Sequence, residues 1–306
     1  MRSVEGRRGG SIVITGASRG LGLASATYMY QQGWQVIAAM RSVESGLAKL
    51  RAATGAAPGD PRLIGVQLDL TELDSITAAA LEIESRAGAP DVIVHNAGLA
   101  AAGGAEETPM DVWQQLFATN LFGPVALTKA LLPGMRAKGR GRIIAISSQG
   151  GIRGMPGISA YSASKGALER WAESLSQEIA PFGLGVTILV TGTFNTEILT
   201  EKTPDYGDHS GPYAKVYEGI HTTGRAFVDK AAAPPEKFAR ALAAAIDDDA
   251  AIRRRTVGPD AVGLYFMARL LPGSLVHNII RMAMKLPAKD ALRNLAPGIA
   301  SASKRI

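Results

Sequence analysis

The chain contains no cysteine among its 306 residues. Disulfides and thiolate metal centres are therefore excluded, and a reducing compartment suits it; a cytoplasmic location is the expectation. Histidine is nearly as scarce. The four that occur are scattered, without the paired helical spacing of a zinc site, so the sequence makes no case for a metal. No uninterrupted apolar run of about eighteen residues exists, which argues against a membrane-spanning helix. Met1–Gly10 is basic and glycine-rich, lacks the apolar core of a secretory signal, and is expected to be a flexible start. Low-complexity linkers and internal repeats are absent too. The formal charge is +6, yet the cations are dispersed and no nucleic-acid recognition motif is found, so no nucleic-acid partner is expected. The densest run, Arg253-Arg254-Arg255, reads as an exposed strand edge facing water.

What the chain does have is glycine in a telling place. Ser11–Ile14 is a short β-branched run that reads as a buried strand. It leads into Thr15-Gly16-Ala17-Ser18-Arg19-Gly20-Leu21-Gly22, and Leu23–Gln32 then reads as a helix stopped by Gly33. Strand, glycine-rich turn and helix together form a phosphate site: the backbone approaches a pyrophosphate closely, and the helix N-terminus presents free N–H groups. A tight βα turn without ligand is the plainer alternative. The second strand-like run, Trp34–Ala39, ends at Met40-Arg41. Dinucleotide sites that prefer NAD carry an acidic residue near this position to hold the ribose hydroxyls. Here stand Met40 and the cation Arg41, with Arg19 inside the loop. Two arginines and no carboxylate suit a 2′-phosphate.

The middle of the chain carries a serine, a tyrosine and a lysine at fixed spacing. Ser148 precedes Tyr161 by thirteen residues, and Tyr161-Ser162-Ala163-Ser164-Lys165 follows. On a helix, Tyr161 and Lys165 share one face a turn apart. A cation beside a phenol favours its ionised form, giving a proton donor and acceptor for carbonyl chemistry. Ser147 is chemically identical to Ser148, but strand alternation points the two to opposite faces. Ser-His-Asp nucleophilic catalysis has no support, since no Gly-x-Ser-x-Gly surrounds Ser148.

Together these motifs resemble the short-chain dehydrogenase/reductase family over about residues 9 to 260, with features similar to its steroid- and retinol-type members. The resemblance rests on Thr15-Gly16-x-x-x-Gly20-x-Gly22, Asp69, Asn96-Ala97-Gly98, Asn120, Ser148, Tyr161 and Lys165, in the family's order. It implies one doubly wound α/β domain, with a parallel sheet and helices on both faces. Strand-like runs at Leu63–Leu68, Val92–Val94, Arg142–Ile146 and Gly185–Val190 alternate with helical stretches and support this independently. It also implies NADP(H) as cofactor. Asp69 would meet the adenine amine with Leu70 beside it, and Asn96, Ala97 and Gly98 would let a loop pass close to the cofactor. Lys165 would bind the nicotinamide ribose and hold Tyr161 acidic, Ser148 would steady the alkoxide, and Asn120 would hold a water in a proton relay. Asn120 lies in Asp111–Met135, which reads as one long helix, where asparagine is mildly unfavourable.

One departure stands out. The family's Pro-Gly after the sixth strand is Thr191-Gly192 here, which frees φ and adds an N–H donor. Gly192, Phe194 and Thr196 are still expected at the cofactor, Thr196 at its carboxamide, but the geometry of this loop stays open.

The expected organisation is a start over 1–10, a catalytic domain over 11–260 and a helical extension over 261–306. Within the domain, 192–233 reads as a long connection and, by resemblance, a substrate lid. His221 lies in it, a contact for substrate or a solvated loop histidine. The apolar tail Val262–Leu286, broken by Pro272-Gly273, could cover the core, cap an apolar pocket or rest on a membrane. The expected function is an NADP(H)-dependent oxidoreductase that interconverts a hydrophobic secondary alcohol and a ketone, as a dimer or tetramer of identical chains. A reductase of fatty-acyl or sugar metabolism and a non-catalytic NADP-binding regulator are the alternatives. Intact Ser148, Tyr161 and Lys165 argue against the regulator.

Overall fold

The computed structural model describes residues 9–196 and 203–293, without the side chains of 225–231. Expectations for residues 1–8, for part of the lid (197–202) and for the end of the tail (294–306) lie outside the described residues. Seven strands, β1 (Ser11–Thr15), β2 (Gln35–Met40), β3 (Leu63–Gln67), β4 (Val92–His95), β5 (Gly141–Ser148), β6 (Leu184–Thr191) and β7 (Ile252–Val257), form one sheet. Its order is β3-β2-β1-β4-β5-β6-β7, and all six pairings are parallel. The order reverses between β1 and β4, which opens a crevice beyond their carboxyl ends.

Alternation along the strands explains why such continuous apolar runs are needed. In β1, Ile12 and Ile14 face one layer while Val13 faces the other. Ile12 and Ile14 meet α1 (Gly20–Gln31), α2 (Val43–Thr54) and α9 (Pro235–Ile246) through Met29, Leu50 and Phe238. Val13 meets α3 (Leu73–Ala87), α5 (Gly123–Lys138) and α7 (Ser159–Ile179) through Ile83, Leu131 and Leu168. A sheet covered on both faces has no polar side to show, hence its Val/Ile-rich strands.

Three elements differ from the sequence reading. Asp111–Met135 is not one regular helix: α4 (Met110–Phe117) passes into α5 through a π-helical turn, Ala118–Phe122. The combined stretch is long and apolar enough to cross a bilayer by length and composition, but Leu116, Leu127, Leu131 and Met135 are buried in the core. The connection 192–233 contains an eighteen-residue helix, α8 (Ala214–Ala231). Its two glycines and paired threonines disguise it as loop. The arginine run does lie on the edge strand β7, but its side chains do not simply face water. Arg254 pairs with the buried Glu169 and with Glu173 on α7, while Arg253 and Arg255 pair with Asp248. A carboxylate as buried as Glu169 requires such a partner.

The tail forms α10 (Pro259–Leu270) and α11 (Gly273–Ala283), divided at Pro272 and Gly273 as their helix-breaking character predicts. Ala261, Leu264 and Val276 are buried, so part of the tail covers the core.

Candidate active site

The site grows out of the β1/β4 crevice. Thr15, the last residue of β1, turns its hydroxyl across to β4, donating to Val94 O at 3.3 Å. It accepts from the N–H groups of Asn96 at 3.1 Å and Ala97 at 3.0 Å. The Asn96 amide returns a bond to Thr15 O at 2.8 Å. These bonds clamp the glycine loop to the loop after β4. Gly16 has φ +68°, a conformation suited to glycine, and a Cβ on Gly22 would lie 2.2 Å from Gly16 O. The first turn of α1, Gly20 to Gly22, lines the crevice.

A cavity of about 770 Å³ runs from this loop to the end of β5. Thr15, Gly16, Ser18, Arg19, Gly20, Leu21 and Gly22 form one side of it. Arg41, Asp69, Leu70, Asn96, Ala97 and Gly98 continue the wall, Ser148, Tyr161 and Lys165 line it at the end of β5 and on α7, and Gly192, Phe194 and Thr196 line it as well, Thr196 against Gly20 of the glycine loop. Asn120 sits behind the wall, buried.

The carboxylate of Asp69 is shaped by its own turn. It accepts from the Thr71 N–H at 2.9 Å and hydroxyl at 2.7 Å, which holds its pKa below the ordinary carboxylate value. Met40 is buried and its sulfur packs over Gly46, where a Cβ would come within 1.9 Å. The position that would carry a ribose-binding acid is thus apolar core. Sequence reading missed the residues opposite it: Ser42, Ser45 and Lys49 also line the cavity. Ser45 and Lys49 are one turn apart on α2, so that helix shows a cationic edge to the same corner as Arg19 and Arg41.

At the far end, Ser148 and Tyr161 line the cavity together; burial pushes the phenol pKa up, and Ser148 beside it opposes the shift. The sequence argument had expected the lysine to lower it. Lys165 Nζ lies 6.0 Å from the Tyr161 ring centroid and donates to Ile146 O at 2.9 Å. Burial lowers the Lys165 pKa to about 8, opposed by the charge of Glu169 one turn further along α7. Ser147 points away from the cavity's reacting end as alternation requires, donating to Glu169 at 2.5 Å.

The π-helical turn explains Asn120. It rotates the side chain inward, where the amide accepts from Leu99 N at 2.8 Å and donates to Leu99 O at 3.0 Å and Ser164 Oγ at 2.9 Å. Such turns are frequent at functional sites. A Cβ on Gly98 would lie 3.3 Å from both Asn120 Oδ1 and Lys165 Nζ, so a side chain there would press on both polar groups.

The departure at Thr191-Gly192 also has a structural account. Thr191 Oγ1 donates to Ser147 O at 2.8 Å, and the Gly192 N–H bonds Val257 O at 2.8 Å. Asp260, at the start of α10, takes the Thr193 N–H at 2.7 Å and the Gln149 amide at 2.7 Å. The tail therefore fixes the loop that proline fixes elsewhere.

A family model described as short chain dehydrogenase matches residues 11–207. The chain belongs to the short-chain dehydrogenase family. Among relatives of this short-chain dehydrogenase, a 3-ketodihydrosphingosine reductase from Bacteroides thetaiotaomicron is 31% identical over 280 residues, 89% of this chain and 96% of that protein. A dehydrogenase/reductase SDR family protein 7-like from Anopheles gambiae is 38% identical over 203 residues, 64% of this chain but only 63% of that protein. A short-chain dehydrogenase structure from Streptomyces avermitilis superposes with TM-score 0.75 at 35% identity, covering 90% of this chain and 97% of the other. An alcohol dehydrogenase from Thermococcus sibiricus, solved with 5-hydroxy-NADP, shares the fold at TM-score 0.65 and 23% identity, covering 82% and 96%.

Proposed function

We propose that this short-chain dehydrogenase is an NADP(H)-dependent oxidoreductase that interconverts a bulky apolar ketone and its secondary alcohol. The observation that carries the reading is that Ser148, Tyr161 and Lys165, the last one turn from the tyrosine on α7, line the same cavity as the glycine loop. The cavity fits a dinucleotide on its own features: one continuous space of about 770 Å³ runs past the glycine loop, Arg41, Asp69 and Lys165. Bound NADP(H) supplies or receives the hydride at carbon.

The chain's residues handle the oxygen and its proton. Because burial raises its pKa, Tyr161 is protonated at neutral pH and donates to the carbonyl oxygen during reduction. Ser148 donates a hydrogen bond to the same oxygen as negative charge grows there. Lys165, still cationic below pH about 8, stabilises the tyrosinate left behind. Asn120 and Lys165 bracket the space over Gly98 through which a proton is returned. At the opposite end, Arg19, Arg41 and Lys49 hold the 2′-phosphate.

The substrate side is apolar. Met155, Pro156, Ile158, Ile220 and Met284 line the cavity, and the relative aligned over nearly its whole length is named for the reduction of a long-chain keto lipid base. A panel of ketones of increasing apolar bulk, followed by NADPH absorbance, tests this. Turnover should favour the bulky members and NADPH over NADH. Consumption of neither cofactor with any ketone, or of NADPH only with small polar ones, would count against it.

A further inference from the structure

Two histidines that the sequence leaves twelve residues apart converge on a single carboxylate oxygen. Asp205 Oδ2 lies 3.0 Å from His209 Nε2 and 3.7 Å from His221 Nε2. The His209 and His221 ring centroids are 5.0 Å apart, and the three ligating atoms lie within 4.8 Å of one another. In a tetrahedral site with metal–nitrogen and metal–oxygen bonds near 2.1 Å, neighbouring ligand atoms stand about 3.4 Å apart. The two N···O separations straddle that edge.

The surroundings hold the carboxylate for this role. Its other oxygen, Oδ1, accepts the Gly207 N–H at 3.0 Å, which aims Oδ2 at the imidazoles. The backbone on either side is tied to the loop after β4: Ala102 N donates to Pro204 O and Tyr206 N to Ala102 O, both at 2.9 Å. His209 leans on the Tyr217 ring at 5.0 Å. Tyr213 and Tyr217 in turn bond Glu106 and Glu107, placing two more carboxylates beside the cluster. The carboxylate is thus oriented by an outer bond, as metal-ligating carboxylates are.

We propose that Asp205, His209 and His221 form a binding site for one divalent first-row transition ion of the zinc type. Two imidazole nitrogens and one carboxylate oxygen suit Zn²⁺ and its neighbours rather than Ca²⁺ or Mg²⁺, which prefer oxygen sets. The three side chains are partly solvent-exposed, so water completes the coordination. The ion lies outside the catalytic cavity and takes no part in hydride transfer. Its effect is on the lid: it ties α8, through His221, to the segment anchored on Ala102. Ile220, beside His221, lines the substrate side of the cavity, so the ion fastens that wall.

The test is calorimetric titration of Zn²⁺ alone into the full-length, untagged chain, with Co²⁺ absorption as a second readout of the ligand field. One site per chain is expected. His209→Ala and His221→Ala should each weaken it by on the order of 100-fold or more, while His277→Ala, on the exposed face of α11, should leave it unchanged. All three positions are on the surface, and circular dichroism checks that each variant is folded. Absence of a one-to-one site in the natural chain would overturn the proposal. So would a site that survives both His209→Ala and His221→Ala. Neither readout depends on the proposed reaction, so failure here leaves that reading standing.

Discussion

Arg41 and Met40 bring the question of cofactor choice down to two neighbouring residues. Replacing Met40 by aspartate would bury a carboxylate in the core beneath α2, so its effect on stability would mask its effect on binding. Arg41→Ala is the cleaner substitution, because Arg41 is exposed. It should weaken NADPH binding at least tenfold, about 1.4 kcal/mol, and leave NADH binding nearly unchanged. A parallel loss of both would show that Arg41 serves the shared part of the dinucleotide. The glycine loop, Arg41 and the Ser148–Tyr161–Lys165 set were legible because each is a local pattern with fixed spacing. Ser45 and Lys49 were not. They reach the same corner only through the angle at which α2 packs on β2 and β3, which local periodicity does not encode. The direction of the Tyr161 pKa was misread for a similar reason: burial, a tertiary property, outweighs the lysine one turn away.

At the scale of elements, strand positions followed from apolar runs, while the irregular parts were hidden. The π-helical turn at Ala118–Phe122 and helix α8 both carry residues of low helix propensity, and tertiary contacts override them. The tail shows the same limit. Its division at Pro272 was readable, but its route was not. A Cβ on Gly219 of α8 would come 2.6 Å from the backbone oxygen of Met284, so lid and tail pack backbone against backbone just where Met284 lines the cavity. Met284→Ala should therefore raise KM for a bulky apolar ketone about tenfold, with little change for a small ketone and none in NADPH affinity. Equal KM values across the two substrates would assign the tail to packing alone.

The whole molecule depends on contacts between distant segments that no motif announces. Ser147, Glu169 and Arg254, from β5, α7 and β7, form one largely buried network next to Ser148. Stability against acid is a property of the same interior. His95 is buried between Thr128, 2.7 Å away, and the edge of Trp171. Burial lowers its pKa from 6.5 to about 3. Between those values the unfolded chain binds a proton that the folded chain does not. Stability is therefore lost as pH falls from about 6.5 towards 3, with a slope of up to about 1.4 kcal/mol per pH unit from this residue. His95→Gln, which does not titrate, should flatten the dependence of the urea midpoint on pH in that window. An unchanged slope would assign acid sensitivity to other groups.

The account as a whole stands on Tyr161 as the proton donor at the end of the cofactor cavity. Tyr161→Phe keeps the ring and its packing and removes only the hydroxyl. The decisive measurement is the single-turnover rate of NADPH oxidation by this variant with the best ketone of the panel, beside NADPH affinity measured by fluorescence. The rate should fall at least ~100-fold with affinity unchanged. A rate near that of the natural protein would contradict the mechanism.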